Sequence, residues 1–443
     1  MRSTKSSHVR RTALLALPLL AMTVACNEIT SLDQSNPGSI LAREIYRPAN
    51  AQLLVTGAIG DFECAFHRYV VGQAILGDEL VNAFANTNNF DYERRTMTPG
   101  HPYGTATCGG TAQFAGIYTP LSVARGTADT ILARLNEWTD QELPAGVNRI
   151  QLSGRAAAYA GYSVLLLGEA MCSAALNIGP ELTKDGLWDE AKLRFDAAIT
   201  AATTAGDATT LNLARVGRAR TLLNLGQVAA AGADAELVPA GFVVNAVASS
   251  AGPVRQQNHV FVHTRQSNYS SVGPSFVGLT FEGVPDPRVQ VNVTGSTGSD
   301  GSTVIRQVLK YGDRGAPIPI ARYAEARLIL AEARVAAGDL NGAVGIINAL
   351  HTAAGLPAYD GVGKTAAQVR AQVIEERRRE LFMEGHRLGD MNRYQLPRSP
   401  ADGAPFPNGG VYGSQACPGA NPQGYPFGFP LPDIERNNNP NIP

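Results

Sequence analysis

The feature that most restricts the fold of this chain is a set of Ala/Leu-rich stretches with helical period that recur in pairs. Residues 158–170 read Ala-Tyr-Ala-Gly-Tyr-Ser-Val-Leu-Leu-Leu-Gly-Glu-Ala. Residues 216–227 carry Ala219, Leu222, Leu223 and Leu225-Gly226, and residues 323–333 carry Ala326, Leu328, Ile329, Leu330 and Ala331. The small residues in each let a neighbouring helix approach closely. Partner helices are predicted at short distance. One covers 187–205, with Leu187, Ala191, Phe195, Ala198 and Ile199 on one face. The other covers 339–354, with Ala343, Ile346, Ile347 and Leu350 at i, i+3, i+4 and i+7. A further helix is predicted over 114–138.

Helix, short Gly/Asp turn, helix is the tetratricopeptide pattern, and Ala-Gly-Asp at 337–339 suits it. The repeats are degenerate and unevenly spaced, which makes a weak array and not a regular solenoid. The expected fold class is mainly α, with tetratricopeptide-like helical pairs, long irregular loops and a few short strands. Residues 62–118 hold nine aromatics (Phe62, Phe66, Tyr69, Phe84, Phe90, Tyr92, Tyr103, Phe114, Tyr118) in 57 positions, more than twice the chain average of 7%. They overlap an Asn/Thr/Gly/Pro-rich stretch, 86–112. Residues 242–311 are expected to form strands in places, as at 260–262 and 289–293, between Gly, Pro and Ser. The last 45 residues are again loop-rich, with Phe406, Tyr412, Tyr425, Phe427 and Phe429. Loops this long in a compact protein are functional or disordered, and aromatic content argues against disorder.

The first 25 residues read as an export signal: a basic region (Arg2, Lys5, Arg10, Arg11), an apolar stretch over 12–22, and small Ala25 before Cys26. That stretch is too short to span a bilayer. The sharper reading makes Cys26 the first mature residue, with its sulfur carrying the lipid of a bacterial lipoprotein; several acyl chains anchor stably where one does not. Residues 26–38 suit a polar tether. Removing residues 1–25 deletes four positive charges and no acid, moving the formal charge from −1 to −5. That balance argues against nucleic acid as a partner. Export implies an oxidising compartment, so Cys64, Cys108, Cys172 and Cys417 are disulfide candidates, with three pairings open. None of their spacings suits zinc.

Few motifs point to chemistry. Gly361-Val362-Gly363-Lys364-Thr365 ends like a phosphate-binding loop, but Ala358 stands where the first glycine belongs. Thr365 is instead expected to cap a helix, with Gln368 closing a capping box. His259 and His263 lie four apart with no third ligand nearby, a structural pair in a strand-like segment. There is no Gly-x-Ser-x-Gly and no His-Glu-x-x-His, and no carboxylate pair stands out for glycoside cleavage. No catalytic residue, metal or cofactor is expected. The densest signal lies at 373–393, where Glu376, Glu380, Glu384 and Arg387 fall on one face of a predicted helix. Like charges at i, i+4 repel unless neutralised. A structural ion network is expected among Glu376, Arg377, Glu380, Glu384, Arg387, Asp390 and Arg393, packing this helix against its neighbours.

That segment, Glu-Arg-Arg-Arg-Glu-Leu-Phe-Met-Glu-Gly-His-Arg-Leu-Gly-Asp at 376–390, resembles the signature of the RagB/SusD family of outer-membrane nutrient-uptake lipoproteins. Three stretches agree in the family's order: Asp286-Pro287-Arg288 with Lys310-Tyr311; Arg322-Tyr323-Ala324-Glu325; and the terminus from Phe429-Pro430-Leu431-Pro432-Asp433-Ile434-Glu435 to Pro440-Asn441. The resemblance implies one SusD-like domain over 39–443. Its helical scaffold would span about 114–240 and 317–395, and its loop-rich ligand and transporter face about 60–113, 242–311 and 397–443. It implies a lipid-anchored, surface-exposed outer-membrane protein that binds a nutrient, an oligosaccharide, without catalysis. It also implies delivery to a SusC-type TonB-dependent transporter barrel. The family's ligand face comes from loops at the places of 84–103 and 261–281. Sugars present C–H faces and hydroxyl rims, which suit aromatic plates beside amide and guanidinium donors. Phe84, Asn88, Asn89, Phe90, Tyr92, Arg94 and Tyr103 from the first segment, with Arg265, Asn268 and Tyr269 from the second, are the candidate ligand residues. Trp138 and Trp188 are expected to pack, which leaves no large aromatic platform. The alternative is a helical-repeat protein that binds peptides or proteins at the cell surface.

Overall fold

The structure, a computed structural model, describes residues 42–442. The signal segment, Cys26 and the 26–38 tether lie outside the described residues. The chain divides after Arg47. The first unit contributes the four-residue helix Ala42–Ile45, and the second, from Pro48 on, holds the remaining elements.

Eleven helices of eight or more residues occur among the described residues. They are α1 (Ala51–Leu76), α2 (Thr87–Arg94), α3 (Tyr118–Glu137), α4 (Arg149–Ala170), α5 (Lys184–Ala205), α6 (Ala208–Asn224), α7 (Val228–Glu236), α8 (Tyr323–Ala336), α9 (Leu340–Ala354), α10 (Ala366–Glu380) and α11 (Arg387–Tyr394). Neighbours pack in series: α1 on α3, then α4, α5, α6, α7 and α8 each on the one before, with α9 and α10 on α8. Each helix therefore covers the apolar face of the next, the stacking logic of a helical repeat. The local signals are consistent with these boundaries. Asn148, Thr183, Asp207 and Asp339 accept hydrogen bonds from backbone N–H groups in the first turns of α4, α5, α6 and α9. Thr365 and Gln368 form the expected capping box on α10. Gly206 and Gly355, with φ of 68° and 69°, end α5 and α9.

Close approach fixes the middle of the stack. The Phe195 ring of α5 lies between Gly161 of α4 and Gly217 of α6, where an added Cβ would come within 2.8 and 2.4 Å of it. Phe195 joins a continuous core with Phe62, Phe66, Tyr69, Tyr162 and Phe382.

Three expectations are corrected. The loop-rich face does not begin at residue 60, because α1 runs unbroken to Leu76. Every residue from Cys64 to Leu76 is buried, and a helix enclosed on all sides shows no polar face to betray its period. Residues 260–262 are helical, not extended. Asn258 caps this turn by accepting Phe261 N–H at 3.0 Å, and a π-helical turn, Val262–Gln266, follows. Residues 373–393 are two helices, not one. α10 stops at Glu380, Met383 and Gly385 take φ of 57° and 81°, and α11 starts at Arg387.

Because the helix breaks, Glu376, Glu380, Glu384 and Arg387 do not share one face, and their partners come from elsewhere in the chain. Glu376 accepts from Arg288 at 2.6 Å and lies 2.8 Å from His351 Nε2. Glu380 pairs with Arg322 at 2.7 Å and Arg288 at 3.3 Å. Glu384 takes Lys310 at 2.6 Å and Arg322 at 2.8 Å, and Arg387 takes Asp78 at 2.9 Å. Within the segment, Asp390 is gripped by Arg377 at 2.9 Å and Arg393 at 3.2 Å, and Glu375 pairs with Arg379 at 2.7 Å and Arg378 at 3.1 Å. Burial would raise the Glu384 and Asp390 carboxyls, but these cations hold both below the usual range.

The strands form two-stranded antiparallel ladders. Leu80–Asn82 pairs with Ser270–Val272, Val243–Ala246 with Ile318–Arg322, and Val291–Thr297 with Val304–Val308. The first of these joins the loop after α1 to the loop before residue 281.

Candidate ligand-binding face

The Leu80–Asn82 ladder with Ser270–Val272 carries the chain into Phe84 on one strand and out of Tyr269 on the other. Ala83 N–H donates to the Tyr269 carbonyl at 3.0 Å, and the Phe84 and Tyr269 rings meet edge to face with centroids 4.9 Å apart. Asn268 turns the chain just before Tyr269 with φ of 50°, a region Asn tolerates better than most residues. Asn86 then caps α2 by accepting Asn88 N–H at 3.0 Å, and Arg95 ends it in the left-handed region.

Two further segments close on this pair. At the tip of the Val291–Thr297/Val304–Val308 hairpin, Ser299 Oγ accepts Ala85 N–H at 3.1 Å and Thr303 Oγ1 donates to the Asn82 carbonyl at 3.1 Å. From the C-terminal region, Asn408 Nδ2 donates to the Asp300 carbonyl at 3.0 Å and Gly413 N–H to the Arg94 carbonyl at 2.7 Å. Phe406 packs against Phe90 at 5.8 Å and Tyr412 at 5.2 Å, with the Arg94 guanidinium 5.8 Å from its ring centre. Four loops separated widely in sequence thus make one cross-linked face.

The candidate residues divide. Phe84, Phe90, Arg94, Asn268 and Tyr269 are half-buried on this face and Asn88 is exposed. Tyr92 and Tyr103 are 2% and 0% exposed and belong to the core, against the Phe429 ring at 5.8 and 5.1 Å. Their hydroxyls donate to the carbonyls of Ala115 at 3.1 Å and Pro430 at 2.8 Å. Their role as ligand plates is withdrawn, since no sugar reaches a ring enclosed on both faces. Asn89 is buried with Nδ2 on the Gln113 carbonyl at 3.2 Å, and so is also a packing residue. Arg265 is half-buried and holds the carbonyls of Tyr311 and Gly312 at 3.2 and 3.3 Å. Sequence reading missed Asn408, Ser299 and Thr303, whose Asn/Ser/Thr-rich loops gave no hint of which segments they meet.

The acids beneath the face serve the fold. Burial would raise the Asp91 carboxyl, but bonds from Thr96, His101 and Arg94 hold it below the usual range. Glu93 accepts Asn82 N–H at 2.7 Å and the Tyr412 hydroxyl at 2.8 Å, and burial pushes its pKa up to about 7.

The loop at 107–114 is held from below by buried Arg68, which donates to the carbonyls of Cys108, Gly110, Thr111 and Phe114 at 3.1–3.4 Å. The cysteines pair as Cys64–Cys108 and Cys172–Cys417, with Cα separations of 6.0 and 5.2 Å. His263 Nε2 lies 2.7 Å from the Ala112 carbonyl, and His259 and His263 are both buried beside Arg68. Burial pushes His263 down to about 4. Among the described residues no group of three or more His, Cys, Asp or Glu side chains could hold a metal ion. Two clefts, of about 560 and about 640 Å³, lie away from this face.

Compared with known proteins, residues 304–443 match the model of the SusD family. That C-terminal third of the chain is similar to the SusD family. The fold extends the likeness beyond the matched region. A SusD superfamily protein from Bacteroides vulgatus is 17% identical with a TM-score of 0.66, covering 89% of this chain and 97% of that one. A SusD-like carbohydrate binding protein from the same organism is 18% identical with a TM-score of 0.65, at the same coverage. A SusD superfamily protein from Parabacteroides distasonis is 13% identical with a TM-score of 0.65, covering 91% of this chain and 99% of that one. No curated protein sequence matches the chain. At these identities the SusD-family likeness to solved structures establishes the scaffold, not the ligand.

Proposed function

We propose that this chain is a SusD-family surface lipoprotein that captures an oligosaccharide without cleaving it and delivers it to a SusC-type TonB-dependent barrel in the outer membrane. The observation that carries the reading is the ordered loop face. An edge-to-face Phe84–Tyr269 pair and a half-buried Phe90 are held by cross-loop bonds, with the Asn88, Asn268 and Arg94 polar groups on the same loops. Aromatic rings of this kind accept the C–H face of a sugar, and amides and guanidinium reach its hydroxyl rim. A relative with the same fold is described as carbohydrate binding, which supports the ligand class. Asp91 and Glu93, the acids nearest the face in sequence, are committed to structural bonds, which favours binding over hydrolysis.

In this reading residues 39–443 act as one binding domain and Cys26 carries the lipid. No helix among the described residues is long and apolar enough to cross a membrane.

A glycan array followed by calorimetry on the best ligand tests the face. Replacing both rings, Phe84→Ala with Tyr269→Ala, is expected to weaken binding about tenfold or more; unchanged affinity would remove the face from the account. Pull-down of the anchored chain from membranes tests delivery, and recovery with no β-barrel partner would overturn that part. One observation favours a second reading, peptide capture. The cleft of about 640 Å³ is lined by Phe242, Val243, Ile346 and Leu350, an apolar set suited to side chains. Peptide libraries run beside the array separate the two, because this reading requires peptide binding with no sugar signal.

A further inference from the structure

The cleft of about 560 Å³ opens where α4, α5 and α6 meet the C-terminal loop fastened by Cys172–Cys417. Its size falls within the range of small-molecule sites, and it shares no lining residue with the loop face. Flat apolar surfaces line it: the Trp188 indole, the Tyr425 ring, and Pro418 and Pro426. The indole is fixed in place because it lies against Gly168, where an added Cβ would sit 2.5 Å from Nε1. That Nε1 is buried and has no acceptor in the protein.

Apart from Asp185 at the exposed rim, the charges around the cleft are already engaged. Glu169 accepts from Arg220 Nε at 2.7 Å, Asn224 Nδ2 at 3.0 Å and the Tyr69 hydroxyl at 3.0 Å. Arg393 donates to Asp390 at 3.2 Å and Tyr394 at 2.6 Å. Lys184 Nζ gives two of its hydrogens to the carbonyls of Gly168 at 2.9 Å and Glu169 at 3.2 Å. Burial pushes this amine down to about 7, and its two bonds are made to carbonyls inside the protein. What remains is hydrogen-bonding capacity without a demand for charge: the Asn224 side-chain carbonyl and the Gln395 amide NH₂, whose Oε1 is used by Asn421 at 3.3 Å.

We propose that this cleft is a second binding site, for a neutral polyhydroxylated ligand the size of one or two sugar rings, stacked on Trp188 and independent of the loop face. Flat plates match the apolar faces of such a ring, and the two uncharged amide groups match its hydroxyls.

Trp138 and Trp188 are the chain's two tryptophans, so Trp138→Phe leaves Trp188 as a reporter inside the cleft. The probes are the methyl glycosides of glucose, galactose, mannose and xylose and the disaccharides cellobiose and maltose. The W138F chain is expected to show a saturable change in tryptophan emission with at least one probe, at about 1–10 mM. That change is expected to vanish when Asp185, exposed at the rim, becomes Phe and plugs the mouth. It should survive Phe84→Ala with Tyr269→Ala, so failure of this site and failure of the loop face are distinguishable. No saturable change with any probe, or one that persists in the D185F variant, overturns the proposal. Saturation-transfer NMR on the chain with both tryptophans gives the same decision without W138F. Transfer undiminished by D185F sinks the site.

Discussion

Glu93 joins two of the loops that make the binding face, since one oxygen accepts Asn82 N–H and the other the Tyr412 hydroxyl. Burial raises its pKa from 4.5 to about 7, so the folded chain holds this proton to higher pH than the unfolded chain does. The associated stabilisation is complete below about pH 4.5 and lost as pH rises through about 7. Glu93→Gln cannot ionise. Urea unfolding of parent and variant is therefore expected to show their stability difference moving in the variant's favour by about 3 kcal/mol between those two pH values. A flat difference would mean that Glu93 titrates as an ordinary surface acid. The same scale separates plates from packing. Phe84 and Tyr92 are equally aromatic in the sequence, yet Phe84 stays half-open because its partner is another loop ring. Tyr92 lies against Phe429 under the C-terminal segment. Residue type alone does not distinguish them.

Among the elements, the α4–α5–α6 layer depends on two glycines that leave room for Phe195. Gly217→Ala would force the ring or a helix to move, and overpacking of this kind costs about 1–3 kcal/mol. Gly126 of α3 offers the opposite case, because nothing lies within 4 Å of an added Cβ. There the better helix former is expected to stabilise by about 0.5–1 kcal/mol. Thermal unfolding of the two variants should shift in opposite directions, and a neutral Gly217→Ala would disprove the close-packing account. Helices with one open face, such as α5 and α9, were legible from their periodicity. α1 was not: its buried half shows no polar stripe, and it lacks the Ala/Leu run that made the equally enclosed α4 readable. The break at 381–386 was hidden for a different reason. Its charge spacing mimics a continuous helix, while Phe382 and Met383 are buried in the core and Gly385 takes a left-handed turn.

Across the whole molecule, the C-terminal region returns to the helices it left long before. Cys172 at the end of α4 is bonded to Cys417 across 245 residues, and Phe427 and Phe429 are fully buried. Chain-entropy arguments assign a crosslink of this span about 5–6 kcal/mol. Replacing both cysteines with serine is expected to lower the urea midpoint accordingly; a loss under about 1 kcal/mol would mean that buried aromatics alone hold the segment. Patterns local to the chain determined the helical pairs, their caps, the eligible cysteines and the likeness to the SusD family, because each depends on neighbours within one or two turns. Only the tertiary structure decided which cysteines pair, which acids meet which bases, and which aromatics face outward. Glu376 finds Arg288, Glu384 finds Lys310, and Asn408 finds Asp300 across distances in sequence that no periodicity encodes. Those pairings depend on how the loops close over the helices, and closure is settled by packing of the assembled core.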